Sequence, residues 1–287
     1  MYNRKFIESK CMKQLFTIGF FTIFFSFFAC GFLSGETIVA APRFEEKQLG
    51  NKSNTKEKVP ILIELFTAEG CPMCPPADKN LVYLEREQPF PEAEIITLSL
   101  HVDYWNSRGW KDEFSSPMFT RRQDIYAQIF RVREIYTPQM VIDGRTQLPG
   151  ADLAKTRQAI TENAKQLKGK IEITSTKDAA SDIKLHVNIS DLPVHENSTV
   201  FLAIAEDNLA SKRGKSASTQ REYVSVVREL KSLGPLNAAQ NRLETEIALQ
   251  FQPAWKKESL KFIVFVQENA NRKILAVNKI KLPEGKS

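Results

Sequence analysis

Two cysteines, Cys71 and Cys74, stand between a branched apolar run, Ile61 to Phe66, and a segment with helical spacing through Leu81 and Leu84. The run has the composition of a buried strand and is interrupted by one acid, Glu64. A strand, a tight turn and a helix over Ala77 to Glu87 thus bracket the cysteine pair. Glu94 to Val102 reads as a second strand and Phe114 to Val132 as a helix. Gln139 to Ile142 reads as a third strand, closed by the turn Asp143-Gly144, and Ala151 to Leu167 as an uncapped periodic helix. This alternation predicts an α/β layer domain over residues 59–168.

From Lys170 the texture changes to short alternating runs separated by turn-rich pieces. Ile171 to Thr176, Ile183 to Ile189, Val200 to Ala205, Tyr223 to Arg228, Leu243 to Phe251, Leu260 to Gln267 and Lys273 to Lys281 are the candidate strands. Such a series predicts an all-β immunoglobulin-like sandwich over residues 169–287. A chain of 287 residues, 42% hydrophobic, is long and apolar enough for two such cores.

Residues 1–41 read as an export signal: a basic start (Arg4, Lys5, Lys10, Lys13), then an uncharged run from Leu15 to Leu33. Cleavage near Ala40-Ala41, lipidation at Cys30 and retention of the run as a membrane anchor are three fates of that segment, and cleaved export is the favoured one. All three place the bulk of the chain outside the cytoplasm, in the periplasm or cell envelope, secreted or anchored, where disulfides persist. Residues 42–58 are a polar lead-in. A net charge of +6 without a dominating basic block makes no case for nucleic acid. The basic stretch Lys212, Arg213, Lys215 and Arg221 reads as a solvated hairpin loop, with contact to anionic lipid or a partner as the other reading.

Four cysteines (Cys11, Cys30, Cys71, Cys74) are too few and too unevenly placed for a disulfide framework, so sulfur chemistry is local. A structural zinc site needs four ligands, and the chain has no second Cys-x-x-Cys pair and only scattered histidines (His101, His186, His195). A redox pair needs a strand, a turn and a helix start, whose dipole and free N–H groups favour a thiolate. The spacing lets both sulfurs close a disulfide, with Cys71 attacking and Cys74 resolving. Pro75 and Pro76 remove N–H donors and move the effective helix start to themselves, which weakens the dipole at Cys71.

The stretch ILIELFTAEGCPMC resembles the active-site strand and turn of the thioredoxin superfamily, and Tyr136 to Gly144 resembles its Thr-Pro loop. CPMCPPAD, HVDYWNSRGWKDEFSSPMFTRRQ and YTPQMVIDG together resemble a family of secreted thioredoxin-like proteins catalogued as a domain of unknown function (DUF1223). The likeness is strong over residues 60–168 and weaker beyond, where it rests on AEDNL at 205–209 and VVREL at 226–230. It implies an α/β thioredoxin-like domain, a cis Pro138 packed against the disulfide, and a substrate-facing Thr137. Pro72 and Met73, between the cysteines, would line the same surface. It also aligns Glu64, with a one-residue insertion, with the buried acid that passes a proton to the resolving cysteine; a solvated strand end is the other reading of Glu64.

His101, Asp103, Tyr104, Trp105 and Trp110 cluster at the C-terminal end of the second strand, where ligands bind in open α/β sheets. Trp105 and Trp110 can form a lip for a peptide, and Asp103 can pair with Arg108, Lys111 or Arg121; the alternative is a loop held by its own packing. The leading expectation is an exported thiol–disulfide oxidoreductase acting on protein thiols or disulfides of the cell envelope, with no cofactor beyond the Cys71–Cys74 disulfide. A copper-handling protein using Cys71, Cys74 and His101 is the second, since soft thiolates and imidazole suit copper. A redox-inactive envelope-binding module is the third.

Overall fold

The structure is a computed structural model that describes residues 57–177, 181–211 and 221–282. The expected export signal with Cys11 and Cys30, nearly all of the polar lead-in, and Lys212, Arg213 and Lys215 lie outside the described residues.

The apolar run around the acid becomes β1 (Val59–Thr67), buried on both faces beyond its first two residues and parallel to β2 (Ala93–His101). The crossover is α1 (Pro75–Glu87). Proline is tolerated where a helix begins, because the missing N–H has no intrahelical partner there. Accordingly α1 starts at Pro75, with Cys74 as its N-cap and Cys71 outside it. Helix α2 (Pro117–Phe130) follows, its start fixed by Ser116, whose hydroxyl accepts from Met118 N. Antiparallel to β1 lies β3 (Gln139–Ile142), and β4 (Thr146–Pro149) folds back on it through Asp143 and Gly144, both at positive φ. Helix α3 (Leu153–Asn163) is capped, contrary to expectation: Asp152 accepts from Lys155 N at 3.0 Å.

The later strands are β5 (Lys170–Thr176), β6 (Ile183–Ser190), β7 (Ser198–Glu206), β8 (Leu209–Ala210), β9 (Glu222–Tyr223), β10 (Val226–Leu236), β11 (Leu243–Leu249), β12 (Leu260–Glu268) and β13 (Ile274–Lys281). Their pairing overturns the expected fold class, an α/β thioredoxin-like domain followed by an immunoglobulin-like sandwich. One mixed 8-stranded sheet runs β13-β12-β7-β10-β2-β1-β3-β4, and β10 joins β2 in parallel through Val226 and Ser99. The described residues are mostly β, with three α-helices. The physical reason is that β2 is not an edge: the strand beyond it comes from more than a hundred residues downstream. A second sheet of three strands, β11-β6-β5, covers the inner face of β7, β12 and β13 through Leu185, Val187, Leu202, Phe262 and Val264.

Side-chain alternation on β1 sorts the remaining core. Ile61, Ile63 and Leu65 pack with Ala77, Leu81 and Leu84 of α1 and Ile160 of α3. Leu62 and Phe66 point the other way, toward Phe119 and Tyr126 of α2. The β13 edge returns toward β1 and β3, where Ile274 N donates to Asp143 O at 3.0 Å. Gly144 has φ +63°, and a Cβ there would lie 1.8 Å from the Arg272 carbonyl oxygen. Only glycine fits where the two chain segments cross.

Candidate functional site

Cys71 and Cys74 form a disulfide, with Cα atoms 5.5 Å apart, in the turn that links β1 to α1. Cys71 N donates to Ala68 O at 3.2 Å, and the Cys74 carbonyl accepts from Asp78 N at 3.0 Å in the first turn of α1. Both cysteines are fully buried, whereas Pro72 and Met73 between them are exposed, Met73 by 69%.

Two segments flank this turn. The Thr137–Pro138 peptide is cis. A Cβ added at Gly150 would lie 2.8 Å from Leu65 Cδ1, 3.0 Å from Ala77 Cβ and 3.5 Å from Pro138 Cβ, so β1, the first turn of α1 and the cis-proline converge there. The second segment is the loop after β2. Trp105 donates its indole N–H to Thr137 Oγ1 at 2.7 Å, and Arg108 lies over the Trp105 ring at 4.6 Å. Trp110 donates to Glu69 Oε2 at 2.6 Å, while Glu69 N donates to Asp112 Oδ2 at 2.8 Å. Both tryptophans are partly buried and tie the loop to the two sides of the cysteine turn. Tyr104, beside them, has its phenol pushed up to about 12 by burial, its bonds to Thr137 and Gln123 working the other way.

Glu64 is buried, not at a solvated strand end. Its carboxylate accepts from Arg122 Nε at 2.5 Å, Arg122 Nη2 at 3.1 Å and the Tyr126 hydroxyl at 2.5 Å. Burial works against the charged Arg122, but the Glu64 carboxylate more than offsets it and raises the guanidinium pKa. Burial and the same carboxylate raise Tyr126. Glu64 is therefore saturated by partners from α2. Asp103 makes no ion pair with Arg108, Lys111 or Arg121 among the described residues; it accepts from Thr120 Oγ1 at 2.6 Å and anchors the loop on α2.

The buried acid on the cysteine side of β1 is Asp78, which the sequence does not single out. It lies four residues after Cys74, so the two share a helix face. Thr67 Oγ1 at the end of β1 donates to Asp78 Oδ1 at 2.7 Å, and Arg221 approaches Oδ2 at 3.8 Å. Burial pushes the Asp78 carboxyl up to about 6, the Thr67 hydrogen bond only partly opposing it. His101 stands opposite Thr67 in the β1–β2 register and is buried, its Nδ1 2.7 Å from Asp112 Oδ2. Burial alone would raise Asp112, but His101 and the N–H groups of Glu69 and Phe114 hold it below the usual carboxylate range. Among the described residues, no group of three or more His, Cys, Asp and Glu side chains has a metal-holding geometry.

Residues 62–267 match the family described as "Protein of unknown function (DUF1223)". The chain belongs to that family. No curated protein matches this DUF1223 member. Among solved structures, the crystal structure of protein AGR_C_4864 from Agrobacterium tumefaciens is 22% identical, with a TM-score of 0.62. That match covers 81% of the DUF1223 chain and 98% of the other, and at this identity it speaks for the fold alone. A domain of the outer membrane lipoprotein Omp28 from Porphyromonas gingivalis is 12% identical over 40% of this chain and 88% of its own. Its TM-score of 0.25 carries no argument. Among the described residues, no helix of this DUF1223 protein is long and apolar enough to cross a membrane.

Proposed function

We propose that this DUF1223 protein is an exported thiol–disulfide oxidoreductase acting on protein thiols or disulfides of the cell envelope, with the Cys71–Cys74 pair as its redox group. The observation that carries the reading is the disulfide beside α1, with the cis Thr137–Pro138 peptide on one side and the tryptophan-bearing loop on the other. The likeness to the thioredoxin superfamily enters only through these motifs, and export rests on the N-terminal charge pattern.

In the oxidising direction, a substrate thiolate attacks Cys71 Sγ. The Cys71–Cys74 bond breaks, its electron pair leaves on Cys74, and Cys74 takes a proton. In this reading Cys71, which precedes α1, is the attacked sulfur and Cys74, the N-cap of α1, the leaving one. A second substrate thiolate then attacks the substrate sulfur of the mixed disulfide and releases Cys71 as a thiolate, which is protonated in turn. The substrate dithiol becomes a disulfide, and the protein pair gains two electrons and two protons. The reverse sequence reduces a substrate disulfide. Asp78, rather than the ion-paired Glu64, is the acid placed to supply the proton at Cys74, because it can be neutral at moderately acidic pH. Complete burial of both cysteines means that exchange requires neighbouring groups to move aside, so small thiols should reduce the native disulfide slowly.

The test is a Cys74→Ala variant, which should accumulate mixed disulfides visible on non-reducing gels, together with insulin reduction and peptide oxidation assays. The reading fails if no adducts accumulate and the purified protein catalyses neither reaction. Full biological activity of a Cys71→Ser, Cys74→Ser protein would turn the assignment toward a binding module.

A further inference from the structure

Strand β10 begins beside β2, at Val226, and ends at Leu236, where a cavity of about 310 Å³ opens between three chain segments. Four carboxamides line it: Asn197 before β7, Asn237 and Gln240 after β10, and Asn269 after β12. Each has its side-chain oxygen committed. Asn197 Oδ1 accepts from Ala238 N at 3.3 Å and Asn237 Oδ1 from Ala239 N at 3.0 Å. Gln240 Oε1 accepts from Asn237 N at 2.9 Å, and Asn269 Oδ1 from the Thr199 hydroxyl at 2.8 Å. With the oxygens taken, four NH2 groups remain as donors, and none has a protein acceptor among the described residues. The three segments are pinned to one another. The buried His195 ring has its nitrogens 2.6 Å from Glu196 O and 2.9 Å from Gln240 O, and Asn269 N donates to Asn197 O at 2.9 Å. The four amides are exposed, whereas the other lining residues Ser198 and Leu236 are buried, so the donors form a rim over a closed floor. A preformed concavity with a few fixed polar groups is the general form of a small-ligand site.

We propose that this cavity binds a neutral saccharide. In a chain with 26% charged residues, no charged side chain lines it, and Glu196 and Glu268 adjoin Asn197 and Asn269 in sequence. An anion would leave water for a site with no cation and two acids beside it, which is unfavourable. A peptide backbone presents N–H groups as well as carbonyls at fixed positions, and the acceptors of the rim are already engaged. Sugar hydroxyls differ, since each oxygen can accept from an NH2 group while its own proton rotates toward water. Pro235 and Leu236 supply apolar contact for the C–H face of a sugar ring. The saccharide site does not rest on the thiol–disulfide reading.

The experiment titrates the full chain with diacetylchitobiose and with maltose, following the side-chain NH2 signals of the four amides by heteronuclear NMR. At least one of the two disaccharides should shift these signals saturably. Gln240→Met and Asn269→Ala each remove one donor, on different segments, and circular dichroism checks that they fold. Each should weaken that binding by about threefold to tenfold, the scale of one hydrogen bond. Sodium phosphate and a capped trialanine peptide are titrated alongside. The proposal is overturned if neither disaccharide shifts the four signals, or if both variants bind the disaccharide as wild type does. Shifts by phosphate at lower concentration than by either disaccharide would make this an anion site, and the same result with the peptide a peptide site; either overturns it.

Discussion

Replacing Asp78 by asparagine tests the electrostatic reasoning most directly. A carboxyl that titrates at about 6 in the fold, against 3.8 when free in water, prefers its neutral form when buried. Its contribution to stability is therefore fully present below pH 3.8 and is lost as pH rises through about 6. That difference of about two pH units corresponds to about 3 kcal/mol once the folded group is ionised, and to roughly half of that near pH 5. Asparagine keeps the shape and an acceptor for Thr67 but cannot ionise. Relative to wild type, Asp78→Asn should thus gain on the order of 2–3 kcal/mol between pH 4 and pH 7.5, less whatever attraction from Arg221 is lost. Urea unfolding of the oxidised protein, followed by tryptophan fluorescence at several pH values, measures this difference. A variant-minus-wild-type difference that stays flat across the range would refute the raised pKa and its burial origin. The same variant should slow exchange about 10²-fold at pH 6, the usual scale for removing a placed general acid, even where it makes the fold more stable.

Arg122→Leu should destabilise by about 3–5 kcal/mol, because it leaves the Glu64 carboxylate buried without its cation, and the double change Glu64→Gln with Arg122→Met should recover most of that loss in denaturant midpoint. Gly144→Ala places a Cβ on the Arg272 carbonyl and an L side chain at φ +63°, so thermal melts should show a loss of at least about 2 kcal/mol or no soluble protein. Trp105→Phe removes the donor to Thr137 while keeping an aromatic face, and should cost about 1 kcal/mol. Its freed loop should let excess dithiothreitol reduce the Cys71–Cys74 disulfide faster than in wild type.

Strand positions were largely legible because alternation and branched residues report burial locally, and β1, β2, β3, β6, β7, β12 and β13 fall close to their expected places. The architecture was not, because nothing within a strand names its neighbour. The β-rich half reads alone as a closed sandwich, yet β10 meets β2 through a single register pair, Val226 and Ser99. The paired strands β4, β8 and β9 are only two to four residues long, too short for alternation to show. Among site residues, the cysteines, Thr137, Pro138, Trp105 and Trp110 come together around one turn, while Asp103 serves the loop rather than an ion pair.

The two buried acids show where a sequence reading of chemistry stops. Glu64 drew attention because an acid in an apolar strand is conspicuous, and it is indeed buried. Yet a strand turns alternate side chains to opposite faces, and a single position decides which partners an acid can meet. Glu64 shares its face with Leu62 and Phe66, toward α2, where Arg122 and Tyr126 take up its oxygens. Thr67 lies on the other face with Ile63 and Leu65, toward α1, and there its hydroxyl meets Asp78. Asp78 was hidden because two prolines and a following lysine make its surroundings read as a polar helix start. Its signal was helical spacing: next to Ala77, it falls on the stripe carried by Leu81 and Leu84, so an acid there had to be buried. Glu64 has both oxygens taken up by an arginine and a tyrosine. Asp78 has one hydroxyl bond, a longer approach from Arg221 and a pKa that burial raises to about 6, so it is the acid that can carry a proton at moderately acidic pH.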